Sequence, residues 1–205
     1  HSTEAKYLGV ILDNKLSWKP HIDYVNSKLN LGNGILKKIR HYVQEGTMVK
    51  IFNAFIKPYT DYGNLAWGGA AETHLTRLKR SMNKAIKAMA FKGKYDSPEP
   101  YYEYFKILTM KNSIRMKQGK FMWNLSKNKL PDCIQSTYNA KQSTAINNTS
   151  TESKYILPYF RTKIGQSSLA YQGIQLWNNT VPVDIKSSST YKQFSKKLKD
   201  FLMSI

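Results

Sequence analysis

The stretch AETHLTRLKRSMNKAIKAMAF, residues 71–91, has the clearest helical pattern in the chain. Apolar residues recur there at steps of three and four, which places them on one face of a helix. They are Leu75, Leu78, Met82, Ala85, Ile86 and Met89. A second row, offset from the first by two residues or roughly 200° of helix, is entirely basic. It consists of Arg77, Arg80, Lys84 and Lys87. This stretch predicts an amphipathic helix in a mainly α fold.

The basic row has no acidic neighbours in the sequence. No Asp or Glu lies between Thr73 and Tyr95, whereas solvated helix faces normally mix both signs of charge. A face that binds phosphate groups is therefore the favoured interpretation. A simple solvated face is the alternative.

The rest of the chain reads as four segments. Residues 1–20 contain the apolar run YLGVILD followed by Asp13–Asn14, which predicts a small β-hairpin with its turn at that pair. Residues 21–131 repeat helical spacing and predict a helical bundle, with a close helix contact or a kink at Gly32 and Gly34. Residues 132–153 are rich in Ser, Thr, Asn and Gln and predict a polar linker. Residues 154–205 predict a small α/β C-terminal subdomain.

Composition narrows the classes of partner. Among 205 residues there are 32 Lys and Arg against 13 Asp and Glu, a formal charge of +19. Such a charge requires a polyanion, either nucleic acid or an acidic membrane surface. The longest apolar run has six residues, whereas a membrane span needs about 20. One cysteine, Cys133, cannot form an internal disulfide, which favours a reducing, intracellular compartment.

Catalytic patterns are missing from the sequence. There is no Asp-Asp, Asp-x-Asp or phosphate-binding glycine loop, and the four histidines have no ligand spacing. We therefore predict no catalytic residue, no metal ligand and no cofactor. A cryptic nuclease is possible only if folding clusters acids distant in sequence, namely Asp13, Asp23, Asp61 or Glu72.

Several segments, in order, carry a family resemblance. YLGVILDNKLSWKPHI (7–22) resembles the end of the palm in reverse transcriptases of jockey-like non-LTR retrotransposons. PYTDYGNLAWGGA (58–70) and LKRSMNKAIKAM (78–89) resemble the thumb that follows. RTKIGQSSLAYQGIQLWNNTVPVDIKS (161–187) and YKQFSKKLKDFLM (191–203) are similar to the extreme C-terminal part of the same polyproteins.

The resemblance implies a role without catalysis. It makes the hairpin residues Tyr7, Leu8, Gly9 and Val10 similar to a primer grip, and the helices similar to a thumb lying against template RNA and primer DNA. The family's aromatic-x-Asp-Asp motif does not occur here, and the chain starts at His1, so we expect a fragment of a longer polymerase. Its partners would be RNA or an RNA–DNA hybrid and the upstream palm and fingers, with no membrane, in a nuclear or cytoplasmic ribonucleoprotein.

Arg77, Arg80, Lys84 and Lys87 are the first candidates for phosphate contacts. Secondary candidates are Lys37, Lys38, Arg40, Arg115, Lys117 and Lys120. The alternative function is a stand-alone structural or protein-interaction domain derived from a mobile element, whose partner is another protein.

Overall fold

The computed structural model describes residues 3–139 and 155–205. As predicted, these residues are mainly helical and open with a two-stranded hairpin. They divide into two compact units, His1–Ser113 and Ile114–Ile205. The change from one unit to the other falls within one continuous helix, Met110–Ser126. The segment borders expected at residues 20, 131 and 153 remain predictions.

The hairpin pairs β1 (Glu4–Tyr7) with β2 (Val10–Asp13) in antiparallel register. Its turn is formed by Leu8 and Gly9, both with positive φ angles (45° and 80°), as in the primed turns that match strand twist. The predicted turn at Asp13–Asn14 is therefore wrong. Leu8 hid the true turn because an aliphatic residue is uncommon in the left-handed region.

Asp13 instead holds the corner between the hairpin and the next helix. Its carboxylate accepts hydrogen bonds from the backbone N–H groups of Ser17 (3.1 Å) and Trp18 (2.9 Å). Burial opposes the charge of this carboxylate, but the hydrogen bonds outweigh it and lower the pKa of Asp13.

Helix α1 (Lys19–Ile39) starts with Pro20 in its first turn, where a missing N–H does no harm. It runs through Gly32 and Gly34 unbroken. A Cβ on Gly32 would lie 2.8 Å from Cγ1 of Ile56, whereas one on Gly34 would meet no described atom within 4 Å. Gly32 thus allows a close approach to the end of α2 (Glu45–Phe55), followed by α3 (Lys57–Asp61) and α4 (Asn64–Trp67). Of the two expectations for Gly32, the close contact is the one observed.

Helix α5 (Glu72–Met89) packs against α1 and completes the core of the first unit. Asp23 contacts Arg77, Asn26 contacts Ser81, and Arg40 contacts Phe91. These pairs advance together along both helices, so α1 and α5 run parallel and end on the same side. Fully buried side chains fill the space around them, including Ile22, Leu29, Leu36, Phe52, Trp67, Leu78 and Ile86.

After α6 (Glu99–Tyr104), helix α7 (Met110–Ser126) leads into the second unit. That unit continues with α8 (Asp132–Asn139), α9 (Lys163–Gln166), α10 (Leu169–Asn179), α11 (Val183–Lys186) and α12 (Tyr191–Ser204). The ring of Trp123 on α7 stacks on Phe194 of α12, with 5.5 Å between centroids. Trp177 of α10 lies 6.1 Å from the same phenyl ring, so three aromatic residues form the centre of this core.

Two segments differ from expectation. The predicted polar linker begins as helix α8, because the side-chain amide of Gln135 donates to the Leu125 carbonyl (3.0 Å) and to Asn128 Oδ1 (2.7 Å) and so anchors a polar segment. The remainder of that linker, residues 140–154, lies outside the described residues. In 155–205 the structure has helices and no strand. Tyr155 forms an isolated β-bridge, and the described residues after it are extended up to Phe160 before the helices begin. The regular elements described in this subdomain are therefore helices.

Candidate nucleic-acid interface

The outer face of α5 carries the four cations predicted first. Leu78, Met82, Ala85, Ile86 and Met89 are buried, as the periodicity predicted. On the opposite side Arg77, Arg80 and Lys84 are exposed, and Lys87 is half-buried. The structure thus brings all four predicted cations to one side of one helix.

Two of these four cations already have partners in the protein. Arg77 forms an ion pair with Asp23 of α1, in which both side chains remain about two-fifths exposed. Lys87 Nζ donates to the backbone carbonyl of Lys94 at 2.7 Å. The acid-free stretch 73–95 does not leave Arg77 without an acidic partner, because Asp23 comes from another helix. An exposed pair contributes only about 0–1 kcal/mol, so a phosphate group could still compete for Arg77.

Arg80 and Lys84 make no hydrogen bond or ion pair to any described residue. They lie four residues apart, so one helical turn carries two exposed and uncompensated charges. These two residues form the part of the predicted row that is free to contact a polyanion.

An acid flanks the other edge of α5. Glu99 accepts a hydrogen bond from the Ser97 hydroxyl, which is the main cause of its lowered pKa. The charges of Lys79 and Lys87 lower that pKa further. Glu99 is therefore an acid close enough to Lys79 and Lys87 to offset part of their charge.

The secondary candidates on α1 lie at its C-terminal end. Lys37 and Lys38 are exposed there, where cations favour the helix dipole. Arg40 is half-buried: its Nε donates to His41 Nε2 (3.1 Å), and its guanidinium lies 5.3 Å from the centroid of the Phe91 ring. Because α1 and α5 are parallel, these cations come close to the loop that follows α5.

The candidates on α7 do not form a row. Arg115, Lys117 and Lys120 are all half-buried and belong to the second unit. Arg115 and Lys117 are two residues apart and so lie on nearly opposite sides of the helix. The Lys120 ammonium lies 5.5 Å from the centroid of the Tyr191 ring. These three residues therefore do not form one exposed row like that of α5.

The primer-grip-like residues form the tip of the hairpin. Tyr7 ends β1, Leu8 and Gly9 make the turn, and Val10 starts β2; Tyr7 and Leu8 are mostly exposed. The hydroxyl group of Tyr62 donates to the Leu8 carbonyl at 2.6 Å and supports the turn from beneath. Tyr62 is thus a positioning residue that sequence reasoning missed, because it lies 54 residues away.

Three of the four acids named for a cryptic nuclease have separate partners. Asp13 binds backbone N–H groups, Asp23 pairs with Arg77, and Asp61 accepts a hydrogen bond from the Ser113 hydroxyl at 2.9 Å. Across the described residues no three His, Cys, Asp or Glu side chains are grouped so as to hold a metal ion. None of the helices in those ranges is long and apolar enough to cross a membrane.

One histidine departs from the pattern of a surface residue. His21 is buried beside Trp67, and its Nδ1 accepts the backbone N–H of Ile11 at 3.3 Å. Burial lowers the pKa of His21. The neutral ring therefore joins the hairpin to α1.

Exposed aromatic residues beside the C-terminal ends of α1 and α5 form a feature that sequence reasoning missed. Tyr42, Phe91 and Tyr95 are 86%, 53% and 94% exposed, and an arginine or lysine lies within two residues of each in the chain. The alternation of rings and cations in FKGKY (91–95) was the available signal.

Comparison with known proteins identifies relatives of one kind. The chain is 28% identical over 91 residues to a probable RNA-directed DNA polymerase from transposon X-element of Drosophila melanogaster. It is 30% identical over 94 residues to the RNA-directed DNA polymerase from mobile element jockey of Drosophila funebris, and 26% identical over 93 residues to that of Drosophila melanogaster. The matches cover 40–44% of this chain and 10% of each relative.

These relatives confirm the predicted resemblance to jockey-like reverse transcriptases. The matched stretch spans about a tenth of the length of each curated relative. No family model matches the chain, and no solved structure matches it.

Proposed function

We propose that this chain is a non-catalytic part of a retrotransposon RNA-directed DNA polymerase that holds template RNA and primer DNA during target-primed reverse transcription. The observation that carries the proposal is the outer face of α5, where Arg80 and Lys84 are exposed and unpaired to described residues. Similarity to three mobile-element polymerases supports the class of protein.

Binding would be electrostatic and independent of sequence. Lysine and arginine contacts to phosphates fix the position of a protein on a duplex without reading the bases. A rigid helix keeps the two cations at a fixed separation of roughly 6 Å along its axis. Arg77 would join them if phosphate displaced Asp23.

The hairpin tip would lie at the primer end in this proposal. Tyr7 and Leu8 present exposed side chains, and Tyr62 holds the turn in place. Polymerisation would require aspartates supplied by the palm of the parent protein, since the sequence contains no aromatic-x-Asp-Asp motif. The partners would then be the upstream palm and fingers, within a nuclear or cytoplasmic ribonucleoprotein.

Filter binding of an RNA–DNA hybrid at several salt concentrations tests the proposal. If the whole chain makes six to ten phosphate contacts, its affinity for the hybrid should fall by about 10³–10⁵-fold between 50 and 200 mM salt. The double variant Arg80→Ala, Lys84→Ala should flatten the logarithmic salt slope by roughly 1.8, about 0.9 for each lost contact.

The matched control is Lys192→Ala, Lys196→Ala on α12. It also removes two exposed cations four residues apart, so it lowers net charge equally. Equal losses for the two double variants would show a diffuse charge effect and contradict an α5 site. Binding that scarcely responds to salt would contradict the proposal as a whole.

A protein-interaction domain remains the second candidate because of a small apolar patch. Leu31 and Phe55 are 65% and 51% exposed and lie on either side of the close contact at Gly32. This alternative predicts no retention on heparin at moderate salt and an acidic protein partner. Retention on heparin together with hybrid binding would exclude it.

A further inference from the structure

The C-terminal ends of the parallel helices α1 and α5 present aromatic rings to solvent. Tyr42 follows α1, and Phe91 and Tyr95 follow α5. We call these three rings, with Arg40, Lys92 and Lys94, the aromatic corner. None of the rings contributes to the core, because each is at least half exposed.

Phe91 occupies a backbone position that normally requires glycine. The N–H of Lys92 donates to the Lys87 carbonyl (2.8 Å) and the N–H of Phe91 to the Ala88 carbonyl (3.4 Å), the pattern of a Schellman helix end. Phe91 has the left-handed φ of +55° that this motif imposes. A phenylalanine is strained there and glycine is not, so the stability of the helix end does not explain the ring.

The ring is held in place by its neighbours while much of it stays accessible. The Arg40 guanidinium lies 5.3 Å from the Phe91 ring centroid, and the His41 ring approaches its edge with 5.4 Å between centroids. Lys87 fixes the following loop by its bond to the Lys94 carbonyl, directly before Tyr95. The rings therefore project from a part of the helix pair that these contacts hold in place. Strained backbone conformations such as that of Phe91 cluster at binding sites.

Positive charge surrounds these rings. Residues 37–42 and 87–95 contain Lys37, Lys38, Arg40, Lys87, Lys92 and Lys94 and no acid. The next residue, Asp96, turns its carboxylate back to the Gly93 N–H at 2.6 Å. The Lys92 and Lys94 ammonium groups each lie 5.6 Å from a ring centroid, those of Tyr101 and Tyr95.

We propose that the aromatic corner binds single-stranded nucleic acid by stacking bases on Phe91 and Tyr95 while the adjacent cations neutralise its phosphates. A duplex hides its base faces, whereas a single strand exposes them to rings and to guanidinium planes. This proposal deepens the proposed function, on which it rests: it adds an unpaired strand beside the duplex held by α5.

The test uses the 205-residue chain, a 12-nucleotide RNA containing 2-aminopurine, and a 12-base-pair RNA–DNA hybrid. Phe91→Gly should lower affinity for the single strand by about 5- to 150-fold, the range for loss of one stacked base. Affinity for the hybrid should stay within about twofold, because the phosphate contacts remain. The quenching of 2-aminopurine by the parent chain should fall in the variant.

Phe91→Gly also separates binding from folding. Glycine suits the left-handed position, so the urea midpoint should stay the same or rise. Phe91→Tyr, which retains a ring, should restore single-strand affinity. Tyr95→Ala is a second variant, located in a loop, and it should lower the affinity for the single strand in the same way. Its matched control is Tyr159→Ala in the second unit, where the ring is 91% exposed, and this should change nothing.

Two results distinguish the two proposals. If Phe91→Gly and Tyr95→Ala bind the single strand as tightly as the parent, the proposal that the aromatic corner stacks bases is overturned. The proposal that α5 binds the hybrid is not affected by that result. If the chain fails to bind the hybrid but these variants still lose the single strand, the duplex-holding function falls and the stacking surface stands. If all ring variants and Tyr159→Ala weaken binding alike, stacking at this corner is also overturned.

Discussion

Helices α5 and α7 look alike in sequence but differ in what surrounds them. In both helices the candidate cations lie in stretches without Asp or Glu, 73–95 for α5 and 104–131 for α7. Helix α5 buries one face and leaves Arg80 and Lys84 exposed, whereas the α7 cations Arg115, Lys117 and Lys120 are half-buried. A basic helix can bind a polyanion only if one side stays uncovered, so burial and not charge count distinguishes the two.

The largest expected effect tests how far α7 is a core element. Trp123→Ala removes a fully buried indole that stacks on Phe194. It should cost the second unit about 3–5 kcal/mol in free energy of unfolding. Urea unfolding monitored by hydrogen exchange would locate the loss.

Lys84→Ala on the outer face of α5 is the comparison variant for this measurement, and it should stay within about 0.5 kcal/mol of the parent. A loss below about 1 kcal/mol for Trp123→Ala would contradict the assignment of α7 to the core, given the range typical of buried aromatic truncations.

A second, smaller effect concerns packing at Gly119 of α7. A Cβ there would lie 2.6 Å from Cδ2 of Leu198, which is itself fully buried and has little room to withdraw. Gly119→Ala should therefore destabilise the second unit by roughly 1–2 kcal/mol, since overpacking exceeds the gain in helix propensity. Thermal unfolding would measure the change.

The control for Gly119 is Gly34→Ala in α1, where the added methyl meets no described atom within 4 Å. That variant should gain stability, by about 0.5–1 kcal/mol, because alanine favours helix. Stabilisation by both substitutions would show that α7 is less tightly packed than the structure indicates.

The third effect is a pH dependence confined to the first unit. Burial lowers the pKa of His21, so the folded state binds its proton less readily than the unfolded chain does. The contribution of His21 to the stability of the first unit is fully present above the pKa of histidine in the unfolded chain, about 6.5. It should be lost as the pH falls below that value. Urea midpoints between pH 7.5 and 5 would show the loss.

All four histidines precede residue 114, so the second unit is an internal control for this measurement. His21→Gln, which keeps a neutral acceptor for the Ile11 N–H, should reduce the pH dependence of the first unit. If the stability of His21→Gln depends on pH as that of the parent does, another group causes the pH dependence.

The smallest effect on stability sharpens the role of Arg77. Asp23→Asn removes the carboxylate that pairs with Arg77 and should cost only about 0.2–1 kcal/mol, as for other exposed ion pairs. Freed from its partner, Arg77 should add a phosphate contact and steepen the logarithmic salt slope for a hybrid duplex by about 0.9. A slope identical to that of the parent would exclude Arg77 from the interface.

The features that the sequence predicted correctly are those that depend on the spacing of nearby residues. The buried and basic faces of α5 follow from spacings of three and four, and Leu78 and Lys84 lie where that pattern puts them. The size and apolar character of tryptophan favour core positions for all four, Trp18, Trp67, Trp123 and Trp177. Trp67, Trp123 and Trp177 are buried, whereas Trp18 is half-buried. These features needed no knowledge of distant residues.

The features that the sequence did not predict depend on contacts between residues far apart in the chain or on strained backbone conformations. Asp23 and Arg77 are 54 residues apart, so an acid-free stretch gave no warning of their pairing. Leu8 and Phe91 adopt positive φ angles that their side chains disfavour, which concealed the hairpin turn and the helix end from turn statistics. The helix α8 arose in a polar segment because Gln135 satisfied local backbone and side-chain groups.

The asparagine residues along α1 determine the axial alignment of the two long helices. The Ser81 hydroxyl donates to Asn26 and also to Asn30, and Asn33 donates to the Ser81 carbonyl, so one serine engages two full turns of the neighbouring helix. Sliding α5 by one turn, about 5.4 Å, would break these bonds in a buried interface where unmet polar groups are costly. These hydrogen bonds therefore resist sliding of one helix along the other and keep Arg40 level with Phe91.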